Sequence, residues 1–379
     1  MVFTDTGRTA ALALDDGRIF PGWSFGAYTQ ALGEVVFTTC MTGYQEIATD
    51  PSFRGQLVCL TYPIIGNYGV TPGDDESRHP WVSALIVREY VDEPSHWQTT
   101  GTLDAYLKEH GIPGIFGVDT RALTRHLRTF GLRRGVIVPD RAGMTDSDLV
   151  ALACRAKTTD EIDAVGDVSV SQSREYAGTD GGPHVVVLDC GLKEDIVRSL
   201  SRRGVRVTVV PHNTPYGEIR ALNPDGLLCS PGPGDPENAQ ATVATVREAL
   251  DAEMPYAGVC LGHQVLALAI GAKTSRLPFG HRGGNHPVLD LTTGQVRITS
   301  QNHGFQVDAD SIPSEKGWRI AHLNLNDQSV EGLMHESLPA FSIQYHPEGA
   351  PGPQDSQDLF DRFLAIVNDR WTSRKGHAA

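Results

Sequence analysis

The chain has 379 residues, 40% hydrophobic and 21% charged, with a formal net charge of −14. Such proportions suit a globular enzyme of two or three domains. The negative balance argues against a nucleic-acid partner, and no run of about 18 apolar residues offers a membrane span.

The opening "MVFTDTGRTAALALDDGR" lacks a basic segment leading into an apolar core and a cleavage site, so no secretory leader is expected. Six cysteines, at 40, 59, 154, 190, 229 and 260, are scattered without a C-x-x-C pair. They are read as free thiols in a reducing cytoplasm, most of them behaving as small buried hydrophobes.

From Thr9 to about Val138 the pattern is mixed. "TAALALDDGRIFPGWSFG" predicts two short strands joined at Asp15-Asp16-Gly17. "GEVVFTTCM" and "GQLVCLTYP" predict further strands, and "TLDAYLKEHG" a helix stopped at Gly111. "DTRALTRHLRTFG" predicts a second helix, with Asp119 as N-cap and Gly131 at its end. We expect an N-terminal mixed α+β domain over residues 1–170. The polar, Ser- and Gly-rich stretch 171–183 is expected to be a linker.

Residues 184–379 are expected to form the second domain. The runs "VVVLDCG", "VRVTVVP", "DGLLCSPGPGDP" and "PYAGVC" are apolar throughout and alternate with segments of helical spacing. This predicts an α/β fold, a mostly parallel central sheet flanked by helices. Beyond Lys273 come alternating strands, "GQVRIT", "WRIAHLN" and "PAFSIQY". A last helix is expected over roughly Asp355 to Asp369, and the tail "SRKGHAA" is expected to be unstructured.

Ligands of open parallel sheets gather beyond the carboxyl ends of the strands, and three features fall there. "GVCLG" places Cys260 between a strand and a helix, flanked by Gly258 and Gly262. A cysteine there is either a small buried residue or a nucleophile held up on a sharp turn. As a nucleophile its thiol gains thiolate character at the helix N-terminus, and the Leu261 N–H is aimed at an oxyanion. "SPGPGDP" is a rigid loop, either a turn alone or an anion-binding site through the Gly232 and Gly234 N–H groups; it lacks the G-K-[ST] of a phosphate cradle. "QYHPE" sets His346 and Glu348 two apart, so an extended backbone points both the same way. A carboxylate there would fix the imidazole tautomer, whereas a lone histidine would be structural. His281, His286 and His303 lie in glycine-rich surroundings without an H-E-x-x-H helix, so no metal site is expected.

"GVCLGHQ", "SPGPGDP" and "QYHPE" together resemble the three motifs of class I (triad) glutamine amidotransferases. "FGHRGGNHPV", "ITSQNHGFQVD" and, in the first half, "LDDGRIFPGWSFGA", "GEVVFTTCMTGYQEIATDPSF", "LTYPIIGNYGV" and "GVDTRALTRHLR" are similar to one branch, the small glutamine-hydrolysing subunit of carbamoyl-phosphate synthetase. The resemblance covers about Ala10 to Asp369. It implies Cys260 as nucleophile, His346 as base and Glu348 as the group that orients it. It implies a pocket for L-glutamine from Ser52, Gly232, Gly234, Leu261, Gln264, Asn302, Gly304 and Phe305. It also implies a large-subunit partner that uses ATP, Mg and bicarbonate, with no cofactor on this chain, and carbamoyl phosphate for pyrimidine and arginine synthesis. Alternatives are a free-standing cysteine γ-glutamyl hydrolase and the glutaminase of another amidotransferase. Pro231 stands where this branch usually has asparagine, Cys40 where serine or glycine is common, and Tyr345 where glycine or phenylalanine precedes the histidine.

Overall fold

Burial at every position of Ala10–Leu14 marks a strand with no solvent face. It turns at Asp15-Asp16-Gly17, where Gly17 takes φ 94°, and pairs antiparallel with Ile19–Gly26. The computed structural model describes residues 9–378, so the first residues of the expected leader-free N-terminus lie outside it. Two units divide the chain, the first ending at Ala164 and the second beginning at Val165.

In the first unit seven strands close a barrel. Their order is Ala10–Leu14, Ile19–Gly26, Pro113–Phe116, Ala84–Ile86, Gln56–Leu60, Ala31–Thr38 and Arg133–Val138, the last pairing back onto the first. Phe25, Val36, Val58 and Leu85 share one apolar cluster with Leu103 and Leu107 of the helix Leu103–Glu109. The helix Thr120–Phe130 begins at Asp119, whose side chain accepts the Ala122 N–H at 2.9 Å, and stops at Gly131.

The second unit holds a ten-stranded sheet. Five neighbouring strands are parallel: Arg206–Pro211, His184–Asp189, Gly226–Cys229, Tyr256–Val259 and Ala340–Ile343. The rest is antiparallel, so the sheet is mixed rather than mostly parallel. Connection length explains the split. Crossover helices permit parallel neighbours, whereas beyond Lys273 the strands Thr274–Asp290, Val296–Val307, Trp318–Asn324 and Val330–His335 follow one another closely and pair antiparallel. Trp318–Asn324 pairs with both Thr274–Asp290 and Val330–His335, so this end of the sheet curls onto itself.

Alternation within the central strands supplies two apolar faces. Val185 and Val187 pack with Ile196 and Leu200 of helix Glu194–Arg202 and with Phe363 and Val367 of helix Asp358–Ala378. Val186 and Leu188 pack with Ile219, Val246 and Val265 from three helices on the other side.

Two expectations need correction. The stretch 171–183 is not merely a linker, since Arg174–Tyr176 pairs antiparallel with Arg206–Pro211 as the outermost strand. Nor is the tail unstructured: helix Asp358–Ala378 runs through it, and Arg374 donates to Asp225 Oδ1 at 2.8 Å and to the Asn223 and Pro224 carbonyls.

Candidate functional site

The strand Tyr256–Val259 ends at Cys260, and helix Leu261–Ala269 starts immediately after it. Cys260 adopts φ 53°, ψ −104°, a conformation that L-residues avoid and that costs roughly 1–3 kcal/mol. The flanking glycines make this turn possible. A Cβ on Gly258 would lie 2.4 Å from the Gly262 carbonyl oxygen, and one on Gly262 would lie 2.2 Å from that of Cys229. The Cys260 N–H donates to Ile343 O at 2.9 Å, which ties the elbow to the next strand.

That next strand leads through Gln344 and Tyr345 to His346, whose N–H donates to Ser300 O at 2.9 Å. His346 Nδ1 lies 2.7 Å from Glu348 Oε1. Both side chains are sealed from solvent, at 2% and 0% exposure. His346 Nε2 has no hydrogen-bond partner among protein atoms, and the Cys260 thiol acts on this ring electrostatically. The thiol itself donates to the Asn302 carbonyl at 3.6 Å. Burial alone would depress the imidazole, but the Glu348 carboxylate and Cys260 outweigh it and push its pKa up to about 10. Cys260 is only 1% exposed, so the elbow does not present its sulfur to open solvent as the strand-end reading expected. Asn302 and its strand lie over it.

A lysine completes the centre. Lys193 Nζ donates to Glu348 Oε1 at 2.8 Å and to the Ala350 carbonyl, with side-chain exposures of 2% for the lysine and 0% for the glutamate. Burial would raise the Glu348 pKa, but Lys193 and His346 hold it well below the usual carboxylate range. Lys193 sits just before helix Glu194–Arg202, on a turn shaped by Asp189, whose Oδ1 accepts the N–H groups of Gly191 and Leu192 at 3.0 and 2.8 Å. Sequence reasoning passed over it because it lies 155 positions from Glu348. The available signal was a lysine directly after an apolar strand end, "LDCGLK".

The other expected residues divide between the units. Gly232 approaches Leu261 so closely that a Cβ would meet the Leu261 side chain at 2.8 Å and the Cys190 carbonyl oxygen at 2.2 Å. Gly234, at φ 85°, turns the same loop. Gln264 Nε2 donates to the Phe305 carbonyl and to Gln344 Oε1, both at 3.0 Å. Asn302 pairs across the sheet with Arg282, and Phe305 lies under the Arg276 guanidinium, 5.4 Å from its ring centroid. Gly304 sits between them with open room, the nearest atom to an added Cβ being Arg282 Nη2 at 3.6 Å. Ser52 belongs to the first unit, in the turn Pro51–Phe53, where its N–H donates to Asp50 Oδ1 at 2.8 Å and its Oγ has no partner among protein atoms. Tyr345 is wholly buried, with its hydroxyl 3.3 Å from His322 Nδ1.

Comparison with known proteins bears on both halves. Residues 12–137 match the family model "Carbamoyl-phosphate synthase small chain, CPSase domain", and residues 186–366 match "Glutamine amidotransferase class-I". The carbamoyl phosphate synthase small chain of Symbiobacterium thermophilum is 49% identical over 94% of this chain and 98% of its own length. That of Methanopyrus kandleri is 49% identical over 95% and 99%. This chain belongs to the carbamoyl phosphate synthase small chain family. Another member, the pyrimidine-specific small chain of Bacillus subtilis, is 45% identical over 97% of this chain and 98% of its own. Among the described residues of this family member, no helix is long and apolar enough to cross a membrane.

Proposed function

We propose that this chain hydrolyses the side-chain amide of L-glutamine in the cytoplasm and passes the ammonia to a large synthetase subunit. The observation that carries the reading is the buried Glu348–His346 pair beside a cysteine on a left-handed strand-to-helix turn. His346 takes the proton of the Cys260 thiol, and the thiolate attacks the amide carbon with the resulting imidazolium as its counter-ion. The tetrahedral oxyanion is stabilised by the Leu261 and Gly232 N–H groups. His346 gives its proton to the departing ammonia, leaving a γ-glutamyl thioester. The neutral imidazole then takes a proton from water, which attacks the thioester and releases glutamate. Glu348 fixes the tautomer and keeps the ring cationic between steps.

Gly234, Gln264, Asn302, Gly304 and Phe305 are proposed to line the glutamine pocket. ATP, Mg and bicarbonate belong to the large subunit, and carbamoyl phosphate is the product of the pair. A free-standing γ-glutamyl hydrolase would have no use for the segment 12–137, which matches the synthase small-chain model. The test is Cys260→Ser in the complex with the large subunit. Glutamine-dependent synthesis should vanish while ammonia-dependent synthesis continues. Retained glutaminase activity would sink the assignment.

A further inference from the structure

His281 and His303 face each other across the antiparallel pair Thr274–Asp290 and Val296–Val307, with ring centroids 5.0 Å apart. Glu331 reaches the same spot from Val330–His335. One ligand atom from each lies within 4.8 Å of the others, and all three residues are buried. The expected glycine-rich loop is instead a long strand with two register shifts, between Arg276 and His281 and between Gly283 and His286, and this irregular strand carries His281 into the cluster.

His281 Nε2 is 2.8 Å from Asp327 Oδ2, and Asp327 Oδ1 is held by the Ser329 hydroxyl and N–H at 2.8 and 3.1 Å. His281 Nδ1 has no hydrogen-bond partner and lies 3.7 Å from Glu331 Oε1. His303 Nδ1 is 2.7 Å from the Phe305 carbonyl, so that nitrogen carries the proton. His303 Nε2 lies 2.9 Å from Gln301 Oε1. Gln301 Nε2 donates to Glu331 Oε2 at 2.9 Å and to Thr299 Oγ1 at 3.1 Å, and Asn324 Nδ2 donates to Glu331 Oε1 at 2.8 Å.

We propose that His281 Nδ1, His303 Nε2 and Glu331 Oε1 bind one divalent transition-metal ion, zinc by its donor set. Two imidazoles and a carboxylate suit zinc. Ligand atoms around tetrahedral zinc sit roughly 3.3 Å apart, close to the 3.7 Å between His281 Nδ1 and Glu331 Oε1. The outer partners follow the usual pattern of metal-bound histidines: a carboxylate behind His281 and a backbone carbonyl behind His303. The ion joins three strands and clamps His303, which is flanked by Asn302 and Gly304.

The test uses the full chain, purified without chelators and assayed for metal content, then stripped and titrated with Zn2+ and with Co2+ as a visible probe. One zinc per chain and a Co2+ d–d absorption band are expected, with both lost in His281→Ala and Glu331→Gln. Asp327→Asn keeps the three ligands and should weaken uptake about 10- to 100-fold, which covers the case of ligand variants that do not fold. Substoichiometric zinc with no cobalt band, as for a cluster that holds only a proton, overturns the proposal. So does uptake unchanged in the variants. The readout is metal rather than glutamine, so either outcome leaves the glutaminase reading to its own test.

Discussion

Lys193 and Glu348 form an ion pair at 2.8 Å with almost no solvent access to either side chain, and the oxygen that accepts the ammonium is the one that orients His346. Two cations thus share a single carboxylate oxygen. Lys193 helps hold Glu348 ionised, and that carboxylate in turn raises the imidazole.

Lys193→Met should damage both stability and rate. Breaking a buried pair by removing one partner typically costs about 3–5 kcal/mol, because the remaining charge is left uncompensated. We expect a clearly lowered Tm and a fall in glutaminase kcat of at least tenfold, with ammonia-dependent synthesis in the complex spared. Unaltered kcat in a folded Lys193→Met protein would show that Glu348 needs no second cation.

The pH dependence follows from opposite shifts. His346 is raised from 6.5 to about 10, so its contribution to stability is fully present below about pH 6.5 and is lost as pH rises through about 10. Glu348 is lowered from 4.5, so its contribution is present above that value and is lost only in strong acid. The proton that His346 gives to ammonia should disappear in the same alkaline range. The basic limb of the kcat–pH profile should therefore lie near 10 and move toward neutrality in Glu348→Gln. A basic limb that stays put in this variant would contradict the coupling.

Strain at the elbow separates stability from activity. Cys260→Gly and Cys260→Ala both remove the sulfur, but only glycine adopts φ 53° without penalty. Thermal unfolding should show the glycine variant more stable than the alanine variant by about 1 kcal/mol, although both are inactive. The reverse order would mean that the turn is relaxed in solution.

Gly262→Ala should fail for a different reason. Its methyl group would sit 2.2 Å from the Cys229 carbonyl oxygen, a backbone atom that cannot swing aside. Overpacking of this kind costs roughly 1–3 kcal/mol, and helix Leu261–Ala269 must shift to accept it. Loss of glutaminase activity greater than the loss of Tm implies is the expected outcome, measured on the purified soluble fraction.

The parts of this site visible in the sequence are those set by spacing along the chain. The strand-to-helix turn shows in Gly258, Cys260 and Gly262, and the His346–Glu348 contact is local. Lys193 was not visible, because only the parallel order of His184–Asp189, Gly226–Cys229, Tyr256–Val259 and Ala340–Ile343 carries it toward Glu348. The same holds for His281 and His303, which meet through bulged register rather than periodicity. In the fold, the apolar runs mark the central strands, but barrel closure in the first unit depends on Arg133–Val138 returning to Ala10–Leu14 across more than a hundred residues. The edge strand Arg174–Tyr176 is too short and polar to leave a pattern.

That short strand, with the curl at the other end, leaves the large sheet almost no open border. On one side Trp318–Asn324 finds neighbours on both flanks. On the other, the last strand is three residues long, with Arg174 and Glu175 exposed. Charged, abbreviated margins are poor templates for another chain's backbone. Both margins of this wide sheet therefore oppose sideways growth onto a second sheet.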